Sequence, residues 1–210
     1  MTNDESTLPA GCQIVLNPPT GPGADLLADA FADEPGMRWL CGRSRARRRA
    51  WFVATERLLA QRPGSRRYLL LQDGRLMATQ WVTTPTGQPP VLAQLGWLAK
   101  VLLGCGPTVV VRTAAYRRKE EAFIPARATI LEFLGVLEEA RGTGLGGILL
   151  RWAMAEALTG PGATPVHLST SDPRNVEIYR HLGFTVDGSF QLKSLEVTAM
   201  SLSAPDLRSQ

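Results

Sequence analysis

A glycine-rich turn, Arg141-Gly142-Thr143-Gly144-Leu145-Gly146-Gly147, constrains this chain more than any other stretch. Ahead of it, residues 128–136 carry Ile130, Leu131, Phe133, Leu134 and Val136, an apolar run that reads as a buried strand. Behind it, Leu145, Leu149, Trp152 and Ala153 recur at helical spacing, with Arg151 and Glu156 left for the outer face. Glycines at a strand-to-helix junction let backbone approach a ligand closely, and the first amides of the helix have no intrahelical partners. Those amides and the helix dipole make an anion site, and a pyrophosphate suits it.

With 210 residues the chain can bury one proper core, and 44% hydrophobic with 20% charged residues describes an ordinary globular domain. No apolar run approaches the ~18 residues of a membrane span. The polar start (Thr2, Asn3, Asp4, Glu5) is unlike a signal peptide, so a cytoplasmic protein without membrane contact is expected. Cys12, Cys41 and Cys105 are scattered without metal-ligand spacing and read as reduced thiols. His167 and His181 are the only histidines, too few for a zinc site or a Ser-His-Asp triad, so no metal is expected. Much of the +4 net charge sits at Arg43, Arg45, Arg47, Arg48 and Arg49; a solvated helix start is the plain reading, with phosphate, nucleic acid or an acidic partner as alternatives. No nucleic-acid partner is expected.

Along the chain, residues 13–16 read as a strand, 24–33 as a helix closed by Pro35-Gly36, and 44–61 as an amphipathic helix. Asp73-Gly74 between residues 67–72 and 75–83 is the strongest hairpin signal. Residues 85–127, bracketed by prolines, read as an insertion of two helices, 91–103 and 108–121. The first has Val91, Leu95, Leu98 and Leu102 on one stripe, to be covered by the domain, a substrate pocket or a dimer partner. A strand at 166–170, a helix opened by Asp172-Pro173 and closed by Gly183, and strands at 184–192 and 195–202 follow. The whole reads as a single mixed α/β domain over 1–210, with flexible tails at 1–10 and 203–210, as a monomer or homodimer.

Three readings compete for the turn. Gly142-x-Gly144-x-x-Gly147 satisfies the dinucleotide fingerprint as written. That fold, however, needs the strand to run directly into the first glycine, and Leu137-Glu138-Glu139-Ala140-Arg141 intervenes; it also needs more βα units than remain. No P-loop sequence is present. A turn with glycines for geometry alone is the second reading.

The third rests on a resemblance. Val136, a four-residue link, and Arg141-Gly142-x-Gly144-x-Gly146 resemble the acetyl-CoA motif of the GNAT (Gcn5-related N-acetyltransferase) superfamily. Asn175-Val176-Glu177-Ile178-Tyr179-Arg180-His181-Leu182-Gly183-Phe184, which reads N-x-x-x-Y-x-x-x-G-F, is similar to its second signature. Residues 168–175 and Ala30-Phe31-Ala32-Asp33-Glu34-Pro35 resemble the puromycin N-acetyltransferase branch. The resemblance implies a GNAT fold, with a mostly antiparallel sheet of about six to seven strands splayed at the acetyl-CoA site. It also implies acetyl-CoA as co-substrate and an amine as acceptor; a small-molecule primary amine is expected, with protein termini or lysines, or noncatalytic acetyl-CoA binding, as alternatives.

The same resemblance implies the site. Amides of Gly142, Gly144 and Gly146, in the turn completed by Thr143 and Gly147, would hold the pyrophosphate beside Arg141. Leu134 and Val136 would offer backbone groups to the pantetheine, with Gly135 as the bulge of a splayed strand. Asn175 would bond the pantetheine arm, and Tyr179 would protonate the departing thiolate unless it is only a core tyrosine. Glu132, expected on the face of Leu134 and Val136, is the candidate general base, with a structural ion pair as its alternative.

Overall fold

The structure, a computed structural model, describes residues 8–159 and 162–203. The tails expected at 1–10 and 203–210 thus lie mostly outside the described residues, as does part of the break expected at 159–162. Among the described residues, strands β1 (Cys12–Leu16), β2 (Ser65–Gln72), β3 (Arg75–Thr83), β4 (Thr129–Val136), β5 (Val166–Thr170), β6 (Thr185–Leu192) and β7 (Leu195–Leu202) form one sheet in the order β1-β2-β3-β4-β5-β7-β6. Every pairing is antiparallel except β4 with β5. The hairpin turn is where Asp73-Gly74 placed it, with φ of 49° and 76° at the two residues, the left-handed pair that matches strand twist.

Helices cover both faces. Against one lie α6 (Leu145–Leu158) and α7 (Pro173–His181), where Leu145, Leu149 and Ala153 pack on Leu70, Val82 and Leu131. Against the other lie α1 (Pro22–Ala30), α2 (Pro35–Cys41), α3 (Arg45–Leu59) and the insertion helices α4 (Val91–Cys105) and α5 (Pro107–Glu120). Their core is an edge-to-face cluster of Phe31, Trp51, Phe52, Trp81 and Phe133, with ring centroids 5.3–6.0 Å apart. Part of the arginine run is paired within the molecule: Arg45 and Arg49 pair with Asp29 and Asp25 of α1, and buried Arg48 donates to the Ala28 carbonyl at 3.0 Å, while Arg43 and Arg47 are exposed. Among the described residues no helix is long and apolar enough to cross a membrane.

Three expectations need correction. Pro35-Gly36 does not close a helix but opens α2: Pro35 takes the first position, where no N–H is needed, and the Glu34 side chain caps it by accepting from Met37 N at 2.6 Å. On α4 the stripe Val91, Leu95 and Leu102 faces out, whereas Ala93, Trp97, Val101 and Cys105 pack inward on α3. A nearly uncharged helix gives no sign of which side is covered. The bulge of β4 lies at Glu132, not Gly135, because Trp81 pairs with Phe133 while its neighbour Val82 pairs with Leu131. Gly135 is small for another reason: a Cβ there would meet Leu27 Cδ2 at 2.7 Å and Leu26 Cδ2 at 2.9 Å, where α1 crosses the strand.

Candidate active site

β4 and β5 pair only at Thr129↔Val166 and Ile130↔His167, at their N-terminal ends. Beyond those residues the strands part, and a cavity of about 150 Å³ opens between them, lined by Leu131–Leu134 on one side and Leu168–Ser171 on the other. A parallel pair that separates leaves backbone donors and acceptors of β4 facing the gap, where an extended ligand can bond them as an added strand. Leu134 and Val136 sit on this free stretch, their side chains half-buried against the α6 face of the core.

The glycine turn stands at the end of the same strand. A short 3₁₀ turn, Glu138–Ala140, takes up the link, and Gly144 caps α6 with φ 86°. Gly142 also has a positive φ of 79°, and a Cβ on either glycine would meet only open space. Gly146 differs: its Cβ would lie 2.7 Å from Val136 Cγ2, so its bareness lets α6 sit close against β4. Thr143 Oγ1 donates to the Ala140 carbonyl at 2.7 Å, tying the turn down. Arg141 is exposed and donates to the Ala30 carbonyl at 3.2 Å, bracing α1 against the turn, and Gly147 lies beside Arg151. Amides at the start of a 14-residue helix, under an open surface, fit a pyrophosphate.

Across the gap, Asp172 caps α7, accepting from Arg174 N at 3.0 Å, and Pro173 fills the first position. This start directs Asn175 and Tyr179, one turn apart, into the cavity. Asn175 Nδ2 donates to Thr170 Oγ1 at 3.4 Å. The Tyr179 ring rests 5.7 Å from that of Phe184, and burial pushes its phenol up to about 12. A phenol so raised stays protonated through the physiological range and is ready to donate.

Glu132 departs from expectation in its surroundings. The bulge turns it off the face of Leu134 and Val136 to the side of Phe133, and its side chain is 3% exposed. There Oε1 accepts from Thr83 Oγ1 at 2.9 Å, and Oε2 pairs with Arg117 Nη2 at 2.6 Å. Burial would raise this carboxyl, but the Arg117 charge outweighs it and holds Glu132 below the ordinary glutamate value.

The cavity also has walls that the sequence motifs did not indicate. α2 contributes Met37, Trp39 and Leu40, and α5 contributes Thr113, Tyr116, Arg117 and Glu120. Gly36 lets α2 seat against the start of α7, since a Cβ there would stand 2.8 Å from Ser171 Oγ. The signal for the α5 wall was present as spacing: Val109, Thr113, Tyr116 and Glu120 fall on one helical stripe, beneath what reads as a solvated Arg117-Arg118-Lys119 patch. Of the tryptophans, Trp39 and Trp51 line the cavity, while Trp81 is core and Trp97 donates to Thr55 Oγ1 on α3.

Residues 100–186 match the family model described as "Acetyltransferase (GNAT) domain". No curated protein matches the sequence. Among solved structures, a histone acetyltransferase HPA2 and related acetyltransferase from Corynebacterium glutamicum is similar, at 20% identity over 92% of this chain and 97% of that one, with TM-score 0.67. An acetyltransferase from Thermus thermophilus is similar at 16% identity, 90% and 96% coverage and TM-score 0.54. An N-acetyltransferase from Staphylococcus aureus is similar at 14% identity, 92% and 98% coverage and TM-score 0.52. At such identities the likeness is one of fold. The matched segment holds the splayed strand, the glycine turn and the Asn175–Tyr179 helix start, and around it the chain completes the GNAT sheet. Residues 100–186 thus match a GNAT acetyltransferase domain model, and the chain around them has the GNAT fold.

Proposed function

We propose that this enzyme moves an acetyl group from acetyl-CoA to a primary amine of a small molecule, by direct attack while both are bound. The observation that carries the reading is the parting of β4 from β5 after Ile130↔His167, with Tyr179 lining the gap and the glycine turn following β4. Acetyl-CoA supplies a thioester carbonyl. The amides of Gly142, Gly144 and Gly146, with Thr143 and Gly147 shaping the turn and Arg141 adding charge, hold its pyrophosphate. Backbone groups of Leu134 and Val136, with the Asn175 amide, hold the pantetheine arm. The Val136 N–H faces negative charge as it develops on the thioester oxygen; a donor so placed is worth about 3–4 kcal/mol. Tyr179 gives its phenolic proton to the departing sulfur.

The acceptor enters from the α2–α5 side, where walls from both helices make a small chamber lined by Trp39, Trp51, Tyr116 and Phe133. A small chamber with aromatic walls suits a compact amine with an apolar body. Glu132 as the free base requires its release from Arg117, which the geometry does not favour.

Thermal shift with acetyl-CoA, followed by release of CoA thiol with a series of small amines and with peptides bearing free termini or lysines, tests the reading. Puromycin is a natural first compound, given the resemblance in residues 168–175. Stabilisation and thiol release with small amines are expected. Release with peptides alone replaces the acceptor class, and stabilisation with no release for any amine leaves a binding module.

A further inference from the structure

Resting on the transfer reading above, we propose that Glu120, at the end of α5, is the group that takes the proton from the incoming amine, and that Arg117 and Glu132 position it. The geometry comes first. Among the described residues that line the cavity, Glu34, Glu120 and Glu132 are the carboxylates and Arg117 is the one cation, so the chamber carries net negative charge and draws an ammonium group. All three carboxylates have partners, but they are held differently. Glu34 caps α2 through Met37 N, and Glu132 has one oxygen on Thr83 and the other on Arg117. Glu120, 4% exposed, meets the same guanidinium through a single oxygen, Oε2, at 3.0 Å from Nη1. It lines the same chamber as Tyr179, beside Ser169 of β5.

The shared guanidinium sets the two glutamates apart. Burial, then the Glu132 charge, raise Glu120 above the ordinary glutamate value, against the pull of Arg117 and the Ser169 hydroxyl; Glu132 moves the other way. Tyr116 on the same helix faces this group, and Glu34 faces Tyr116 from the cap of α2. Two carboxylates whose environments drive them in opposite directions divide roles, the raised one exchanging protons and the lowered one staying a fixed charge.

The proton balance closes. An aliphatic amine, with pKa about 10.4, arrives as R–NH₃⁺ and gives one proton to the Glu120 carboxylate, freeing its lone pair. The new C–N bond forms at the thioester carbon, and the C–S bond breaks with its electron pair on sulfur. Tyr179 protonates that sulfur and regains a proton from the amide-forming nitrogen. The proton on Glu120 leaves to solvent.

The test compares wild type, Glu120→Gln and Glu132→Gln with acetyl-CoA and two amines, 2-phenylethylamine, protonated at neutral pH, and aniline, already neutral. Glu120→Gln should lower kcat/KM for 2-phenylethylamine by about 10²–10⁴-fold and for aniline only slightly, and should remove the acidic limb of the pH profile. Glu132→Gln removes the charge that raises Glu120, so the limb should move to lower pH and remain. Equal losses for both amines, or an unchanged limb in Glu120→Gln, overturn the assignment. A measurement independent of the acceptor accompanies it: in protein labelled with ¹³C at glutamate carboxyls, the signal absent from Glu120→Gln should titrate above the ordinary glutamate range. A normal titration overturns the proposal as well. Absence of thiol release from wild type with any amine fails the transfer reading itself, which separates the two.

Discussion

Tyr179 illustrates how the surroundings of a single side chain set its protonation. Asp172 and Pro173 start α7 so that Tyr179 falls one turn and a half inside the helix and on the cavity side, with Phe184 against its ring. Its phenol, raised to about 12 by burial, keeps its proton and remains a donor. Tyr179→Phe keeps the ring packing and removes only that donor. Turnover should fall by about 10²–10⁴-fold with acetyl-CoA affinity held, by single-turnover kinetics and calorimetry; turnover at the wild-type level, with chemistry rate-limiting, would remove Tyr179 from the reaction. Tyr179 and Asn175 were legible from their spacing. Glu120 was not, because a glutamate beside Arg117-Arg118-Lys119 reads as surface until the sheet is placed beneath its stripe.

At the scale of elements, the turn between β4 and α6 separates into glycines with different duties. Gly144 needs its left-handed φ of 86° and faces open space, whereas Gly146 is pressed on Val136. Gly144→Glu should therefore keep the fold at a cost of about 1–2 kcal/mol, while placing bulk and negative charge over the amides of α6. Circular dichroism should stay native and the thermal shift given by acetyl-CoA should vanish; a full shift would move the pyrophosphate elsewhere. Gly146→Glu, in contrast, should lower stability in the absence of any ligand, since α6 must lift from β4 to admit it. The same scale explains what was hidden about α2. Pro35-Gly36 is as good a stop as a start, and only the Glu34 carboxylate reaching Met37 N decides between them.

For the whole molecule, acid sensitivity is built into the sheet. His167 on β5 is fully buried, its Nδ1 lacks a hydrogen-bond partner among the described residues, and Asp187 of β6 stands 3.8 Å away. Burial lowers its pKa below 6.5, with Asp187 opposing in part. Between that folded value and the unfolded 6.5, the unfolded chain binds the extra proton and the folded one does not. His167 thus contributes nothing adverse above 6.5, and stability declines as pH falls through 6.5, by at most about 1.4 kcal/mol per pH unit. Urea unfolding of wild type and His167→Gln between pH 7 and 5.5 checks this. The wild-type slope should exceed that of the variant, and equal slopes would place the acid sensitivity in other groups.

The sequence by itself determined the elements and their order apart from α2, because periodicity, caps and the Asp73-Gly74 turn act over a few residues. It also pointed to the glycine turn and to Asn175 and Tyr179, because a glycine turn after an apolar strand and a motif on a single helix are local in the chain. Tertiary structure alone decided which side of α4 is covered, where β4 bulges, and what faces the acceptor. Those depend on contacts between residues far apart in the chain: Thr83 and Arg117 converging on Glu132, α1 crossing at Gly135, and α5 bringing Glu120 to the cavity wall. The bulge is the clearest case. A single extra residue in β4, invisible in the alternation of side chains, turned Glu132 from the pantetheine face to the guanidinium of Arg117.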